Sequence, residues 1–146
     1  PLYQGCYAQA ISTFNVDTDA AIQKLFDALQ SSPAASSDPA DYISAHGYEW
    51  TELKCYGSYT LRYLFARFLD GGETGLQGHL MRHLLDEMAP ESQLRLSAAT
   101  GQEYFDAWLE AARQTRDSIS YARMENEYPA AWLALGMAAH APTTGQ

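Results

Sequence analysis

The chain has 146 residues, 47% of them hydrophobic, which is typical of a single folded domain with a sizeable core. Asp and Glu number 18 against 9 Lys and Arg, and the net charge of -9 excludes a nucleic-acid partner because phosphates bind to basic surfaces. No stretch approaches the roughly 18 to 20 apolar residues that a membrane-spanning helix needs, so no membrane span is expected.

Two antiparallel helices are predicted at the start of the chain. In the first, apolar residues recur at helical spacing up to Asn15: Tyr3, Tyr7, Ile11 and Phe14. Asp17 or Thr18 can cap the second helix by accepting a hydrogen bond from a backbone amide of its first turn. The apolar face of this second helix consists of Ala21, Ile22, Leu25, Phe26 and Leu29. The segment 31–37 has no periodicity and predicts a surface loop.

A short helix and then a long central helix are predicted next. Asp38 followed by Pro39 is typical of a helix cap and a first-turn proline. The central helix spans about 51–70 and ends before Gly71, which can adopt the left-handed conformation that follows a last helical turn. Its apolar stripe consists of Leu53, Leu61, Leu64, Phe65, Phe68 and Leu69. We expect this helix to be largely buried and the other helices to pack around it.

Further helices are predicted after the central one. An amphipathic helix ends before Pro90, and its apolar face consists of Leu76, Leu80, Met81, Leu84, Leu85 and Met88. The segment 93–99 is either a short strand or a helical turn, and we assign it to helix because a single strand has no partner in a sheet. Thr100 with Glu103 forms a capping box that introduces a long helix, and Pro129 opens the last helix.

These elements predict an all-α fold. The sequence has no hairpin signal and no alternation of strands with helices, so we expect a single compact bundle of six or seven helices around the central one. The bundle forms one domain over residues 1–146, with a frayed tail at 141–146.

Three residues of one predicted helix could bind a metal ion. His79, His83 and Glu87 are spaced at i, i+4 and i+8, so their side chains lie along one helix face. A zinc protease would have a glutamate directly after the first histidine, where this chain has Leu80. We therefore predict no metal or other cofactor, and keep a metal-binding protein or metalloenzyme as the alternative.

No catalytic residue is predicted. Cys6 lies at the start of a predicted helix, where the helix dipole favours a thiolate, but cysteine hydrolases hold their histidine on a sheet and none is predicted here. Ser58 does not lie in the G-x-S-x-G motif that is typical of a nucleophilic serine. We therefore expect a protein that is not an enzyme.

The redox state of the two cysteines would indicate the cellular compartment of the protein. A bridge between Cys6 and Cys55 would close a loop of about 50 residues and stabilise the fold by roughly 4 kcal/mol. Such a bridge indicates an exported protein, whereas two free buried thiols indicate a cytosolic one, and the sequence leaves both open. The chain begins at Pro1, which indicates either a removed signal peptide or a shortened chain.

Aromatic residues make up 12% of the chain, and several lie at the ends of predicted helices or in linkers, where a tyrosine tends to be half exposed. Tyr and Trp at a surface often anchor a protein partner. Together with neighbouring carboxylates they indicate a partner with a basic cleft, although tyrosines that merely cover helix ends would give the same pattern. The predicted contact residues are Tyr42, Tyr48, Glu49, Trp50, Tyr121, Glu125, Glu127 and Tyr128.

Two short motifs suggest a family. The cysteine-bearing segment Cys6–Ala10, CYAQA, and the segment Leu53–Leu61, LKCYGSYTL, together resemble the layout of the immunity proteins that neutralise type VI secretion amidase effectors. The resemblance covers the first half of the chain at most. It implies a small, mostly helical, periplasmic protein, often a homodimer, that plugs the active site of a peptidoglycan amidase.

The functional hypothesis is therefore a non-enzymatic, exported or periplasmic protein of immunity type that occludes a bacterial toxin or effector. Two alternatives remain besides it. One is the metal protein that uses His79, His83 and Glu87. The other is an acidic secretion chaperone, for which a cytoplasmic location, an obligate dimer and an apolar groove are expected.

Overall fold

A computed structural model of the chain describes residues 15–33 and 36–140. This part of the chain is built from α-helices and contains no strand, so the predicted all-α class is confirmed. In chain order the helices are α1 (Asn15–Gln30), α2 (Pro39–Ala45), α3 (Gly47–Cys55), α4 (Ser58–Asp70), α5 (Leu76–Met88), α6 (Gly101–Ser118), α7 (Tyr121–Glu127) and α8 (Pro129–His140). A short 3-10 helix at Pro90–Ser92 follows α5. The predicted first helix and the tail 141–146 lie outside the described residues.

The predicted central helix over 51–70 is two helices, and this part of the prediction is wrong. Between α3 and α4 the backbone of Gly57 has φ 58° and ψ -130°, a conformation that residues with a Cβ rarely adopt. The buried Thr60 hydroxyl donates a hydrogen bond of 2.5 Å to the Leu53 carbonyl across this break. This break and the unpredicted α7 give eight α-helices within the described residues, against the six or seven expected.

Helix α4 is largely buried, as expected for the second part of the predicted 51–70 helix. Its Phe68 ring stacks on Phe105 of α6 with centroids 4.7 Å apart, and its Phe65 ring stacks on Trp108 at 5.5 Å. Such aromatic pairs contribute about 0.5–1.5 kcal/mol each beyond the area that they bury. The helix ends before Gly71, whose φ of 91° favours glycine as predicted, but its ψ of 172° is extended and differs from the expected left-handed helical conformation.

The local capping signals are confirmed in two places and wrong in another. The Asp38 carboxylate accepts a hydrogen bond from the Ala40 amide at 3.0 Å, and the Thr100 hydroxyl accepts one from the Glu103 amide at 3.1 Å. Helix α1, however, already begins at Asn15, so the two predicted caps of this helix lie inside its first turn.

The segment 93–99 is not a helix. It has no regular secondary structure, and its apolar side chains Leu94, Leu96 and Ala98 pack on the core while the residues between them are exposed. The Leu94 amide donates a hydrogen bond of 3.0 Å to the Tyr104 hydroxyl. An extended chain with a period of two matches this alternation, which a helical turn would have broken.

None of the helices in the described part of the chain combines the length and the apolar character required to cross a membrane.

Candidate protein-interaction surface

Two of the predicted contact residues are buried, so the expectation that they are exposed is wrong. Tyr42 is 5% exposed, because α2 packs against α1 and α5, and its hydroxyl donates to the Ser36 carbonyl at 2.9 Å. Trp50 is 4% exposed, and its indole nitrogen donates to Glu87 Oε2 at 2.9 Å. Both side chains hold helices together and present little surface to a partner.

The remaining predicted residues lie on two different elements. Tyr48, at 89% exposure, and Glu49 lie on α3, which packs on α1 and α2. The other residues lie on α7 or directly after it, and α7 packs on α6 and α8. The predicted set therefore does not form one surface built from a single pair of helices.

Among the predicted contact residues on or directly after α7, Tyr121 is an ordered and exposed aromatic residue. Ser120 caps this helix by accepting a hydrogen bond from the Arg123 amide at 3.2 Å. Tyr121, the first residue of α7, is 69% exposed, and its ring packs on Trp132 of α8 with centroids 5.5 Å apart. The tyrosine is thus held in place by a neighbour while most of its surface remains open to solvent.

The carboxylates of α7 differ in their surroundings. Glu127 forms a two-point ion pair with Arg123, with N–O distances of 2.9 and 3.0 Å. Hydrogen bonding from this guanidinium lowers the pKa of Glu127 below its usual value. Glu125 is exposed and forms no ion pair with another described residue. The charge of Glu125 is therefore available to a partner, whereas that of Glu127 is already matched.

An apolar groove of about 330 Å³ lies beside Trp132, between α4, α5 and α8. Its apolar lining consists of Leu61, Met88, Pro129, Ala130, Trp132 and Leu133. Glu91 and Glu125 border it, both are exposed, and Glu91 likewise makes no ion pair within the described chain. We call this feature the acidic-rimmed groove. Its chemistry complements an apolar side chain that is flanked by basic residues.

Sequence reasoning missed this groove. Periodicity assigns Leu61, Met88 and Trp132 to separate helices, and nothing in the pattern distinguishes Glu91. One signal was present, because the sequence of α8, PAAWLALGMAAH, is apolar nearly all round. Such a helix has more apolar surface than one packing partner can cover.

The alternative metal site is not formed. His79, His83 and Glu87 lie on α5 as predicted, but within the described residues no group of three His, Cys, Asp or Glu side chains is arranged to hold a metal ion. Glu87 instead accepts hydrogen bonds from Trp50 and from Lys54 Nζ, each at 2.9 Å. Desolvation, followed by the charge of Arg82, lowers the pKa of His83.

The predicted bridge has no support in the structure. Cys55, the last residue of α3, is exposed and carries a free thiol. The alternative of two buried free thiols is therefore wrong for Cys55, and Cys6 lies outside the described residues.

No protein-family model, curated protein or solved structure matches this chain. The resemblance to immunity proteins thus stays a prediction from two sequence motifs. Among the described residues, the acidic-rimmed groove and the neighbouring Tyr121 are the features whose chemistry points most directly to a partner.

Proposed function

We propose that this chain is a non-enzymatic binding protein that uses the acidic-rimmed groove and Tyr121 to occlude a basic cleft on another protein. The observation that carries the proposal is the combination of an exposed, ordered aromatic side chain with an apolar groove bordered by two carboxylates that form no ion pair with any described residue. In its most concrete form, the partner is a bacterial toxin or effector, and the chain acts as an immunity-type inhibitor.

The apolar contacts supply the affinity in this proposal. Burying one Leu or Phe side chain of the partner in the groove contributes about 1.5–3 kcal/mol. Tyr121 adds contact area at a low entropic cost, because its packing on Trp132 already restricts the ring. Aromatic residues of this kind are the usual anchors of an interface.

In this proposal the carboxylates orient the partner and raise the rate of association. The net charge of -9 attracts a basic partner from a distance, and the unpaired Glu91 and Glu125 place negative charge at the contact itself. Association is therefore expected to slow as salt is added, because exposed charges are screened.

An acidic secretion chaperone is the second candidate, and the apolar groove is the observation that favours it. A chaperone of this type binds an extended or helical segment of its client and is an obligate dimer. Native mass spectrometry of the free chain separates a chaperone from a monomeric inhibitor, since an obligate dimer stays dimeric at every concentration at which it is folded.

Photocrosslinking in cells tests the proposed surface and captures the partner in the same step. Benzoylphenylalanine is introduced at Tyr121 or at Tyr48, a more exposed tyrosine on α3, and the cells are irradiated. The proposal predicts a discrete adduct with a basic protein from position 121 and none from position 48, and the purified chain should inhibit that protein. Equal labelling from both positions, or an adduct with a protein whose activity is unaffected, would contradict it.

A further inference from the structure

The two carboxylates of the acidic-rimmed groove come from different elements. Glu91 lies in the 3-10 helix that follows α5, and Glu125 lies in α7. Glu91 also lines a second cavity, whose wall includes Met124 of α7, so it lies beside the helix that carries Glu125. Both glutamates are exposed and line one groove of about 330 Å³, so a single long side chain placed along this groove can approach both carboxylates.

Both carboxylates are available to a cation. Neither forms an ion pair or a hydrogen bond with another residue of the described chain, in contrast to Glu127, which is paired with Arg123. A cationic group of a partner can therefore pair with Glu91 and Glu125 without breaking an ion pair within the described chain. The net charge of -9 favours the approach of a cation as well.

The walls of the groove distinguish between the possible cations. Half-buried Trp132, together with Pro129 and Met88, offers flat and apolar surface beside the carboxylates. The guanidinium of an arginine is planar and weakly hydrated, so it stacks on aromatic faces, and its aliphatic stem packs on apolar side chains. The ammonium of a lysine is a compact and strongly hydrated point charge, which gains less from such walls.

The number of carboxylates also favours arginine over lysine. A guanidinium has five N–H donors in a fixed fork, so it can pair with two carboxylates at once and keep each hydrogen bond well aligned. Two carboxylates at one groove therefore match the donor set of an arginine.

We propose that the protein partner of this chain places an arginine side chain in the acidic-rimmed groove, with its guanidinium between Glu91 and Glu125 and its stem against Trp132. This inference rests on the proposed function, because it specifies the basic residue that flanks the partner's apolar anchor. The recognised motif is an apolar residue next to an arginine, and a lysine in place of the arginine binds more weakly.

Three capped dipeptides test the preference for a guanidinium. Acetyl-Leu-Arg-amide, its lysine analogue and its citrulline analogue, which has nearly the shape of arginine and no charge, are titrated into 15N-labelled protein. The salt concentration is about 0.15 M, at which exposed charges more than about 8 Å apart are largely screened. The indole N–H signal of Trp132 is identified as the one that the variant Trp132→Phe lacks. The arginine peptide should shift this signal saturably and bind about three-fold more tightly than the lysine peptide and at least ten-fold more tightly than the citrulline peptide.

Variants that change the net charge equally locate the contact. Glu91→Gln and Glu125→Gln should each weaken binding of the arginine peptide about three- to five-fold, the effect of one exposed ion pair, and should reduce its advantage over the citrulline peptide. Glu127→Gln is the matched control. Glu127 does not line the groove, so this variant should weaken binding less than about two-fold.

The inference is overturned if no peptide shifts the Trp132 signal saturably, if the lysine or the citrulline peptide binds as tightly as the arginine peptide, or if neither groove variant weakens binding more than Glu127→Gln does. A free chain that is dimeric and dissociates when the arginine peptide is added would assign the groove to a second copy and would overturn it too. These failures are distinguishable from failure of the proposed function. An inhibited basic protein crosslinked at Tyr121, without a preference for the arginine peptide, overturns only the inference, whereas an arginine preference without such an adduct contradicts the proposed function.

Discussion

The indole nitrogen of Trp50 donates a hydrogen bond of 2.9 Å to Glu87 Oε2, and this contact links α3 to α5. The other carboxylate oxygen of Glu87 accepts from Lys54 Nζ at 2.9 Å. One side chain that the sequence offered as a metal ligand and another that it offered as a partner contact thus stabilise the fold by pairing with each other.

Replacing Glu87 should separate the contribution of its hydrogen bond with Trp50 to stability from that of its ion pair with Lys54. Glu87→Ala leaves the buried Trp50 N–H unpaired and should lower the free energy of unfolding by about 1–3 kcal/mol. Glu87→Gln keeps an acceptor for the indole and removes only the half-exposed ion pair with Lys54, so its loss should stay below about 1 kcal/mol. Urea unfolding of the two variants measures the difference. Equal losses would mean that the hydrogen bond contributes nothing beyond the charge.

Ionisation of Tyr104 should lower the free energy of unfolding at alkaline pH. Burial and its 2.6 Å hydrogen bond to Asp86 raise the pKa of Tyr104 to about 12, against 10.0 for an ordinary tyrosine. The folded state therefore prefers the neutral phenol, and this stability is complete below pH 10 and is lost as the pH rises towards 12. The loss should reach about 2–3 kcal/mol.

Tyr104→Phe provides the control for this dependence. The variant lacks the titrating group, so the difference in unfolding free energy between it and the unchanged chain should shrink between pH 10 and 12. A constant difference across this range would show that the phenol titrates normally in the fold.

Gly101 should tolerate no side chain. A Cβ at Gly101, the first residue of α6, would collide with the backbone carbonyl of Gly78 on α5. Since backbone cannot move aside as a side chain can, Gly101→Ala should destabilise the fold by roughly 1–3 kcal/mol or more. Gly136→Ala is the matched control, because Gly136 lies exposed in α8 and a Cβ added there would meet nothing within 4 Å, and it should stabilise by about 0.5–1 kcal/mol. Thermal unfolding of both variants measures these effects, and equal shifts would contradict the close approach of α5 and α6.

The two glutamates of α7 should differ in their effect on association. Glu125→Gln removes an unpaired charge at the acidic-rimmed groove and should slow binding of a basic partner roughly two- to five-fold at low salt. Glu127→Gln also raises the net charge by one, because it leaves Arg123 without its partner, but Glu127 does not line the groove, so this variant should slow association less than Glu125→Gln does. Stopped-flow kinetics at two salt concentrations measures both rates. A larger effect from Glu127 would place the contact elsewhere on α7.

Local sequence signals predicted much of the helical architecture. The N-cap of α6 at Thr100 and the end of α4 before Gly71 could be predicted because the residues that form them are neighbours in sequence. The break at Gly57 was missed because apolar residues continue at helical spacing across it, from Leu53 to Leu61 and beyond. Periodicity reports which face is buried and does not report where the helix axis changes direction.

The candidate site was harder to predict, because it depends on packing between distant segments. Trp50 is a residue of a type that often anchors a protein partner. Its burial depends on packing against another helix, where its indole pairs with Glu87, and the sequence does not show this contact. The acidic-rimmed groove joins residues from α4, α5 and α8, and no spacing along the chain indicates that they meet. Tyr121 was predicted as exposed from its position at the end of a helix, and this expectation is confirmed.

The affinity of the crosslinked partner for Tyr121→Ala and for Tyr48→Ala tests the central claim most directly. The first variant removes the proposed anchor at a stability cost below about 1.5 kcal/mol, the value of one aromatic pair. The account predicts that Tyr121→Ala weakens binding about 30-fold or more, as expected for an anchor worth at least about 2 kcal/mol, while Tyr48→Ala stays within about two-fold. Equal affinities for the two variants, or a greater loss from Tyr48→Ala, would contradict it.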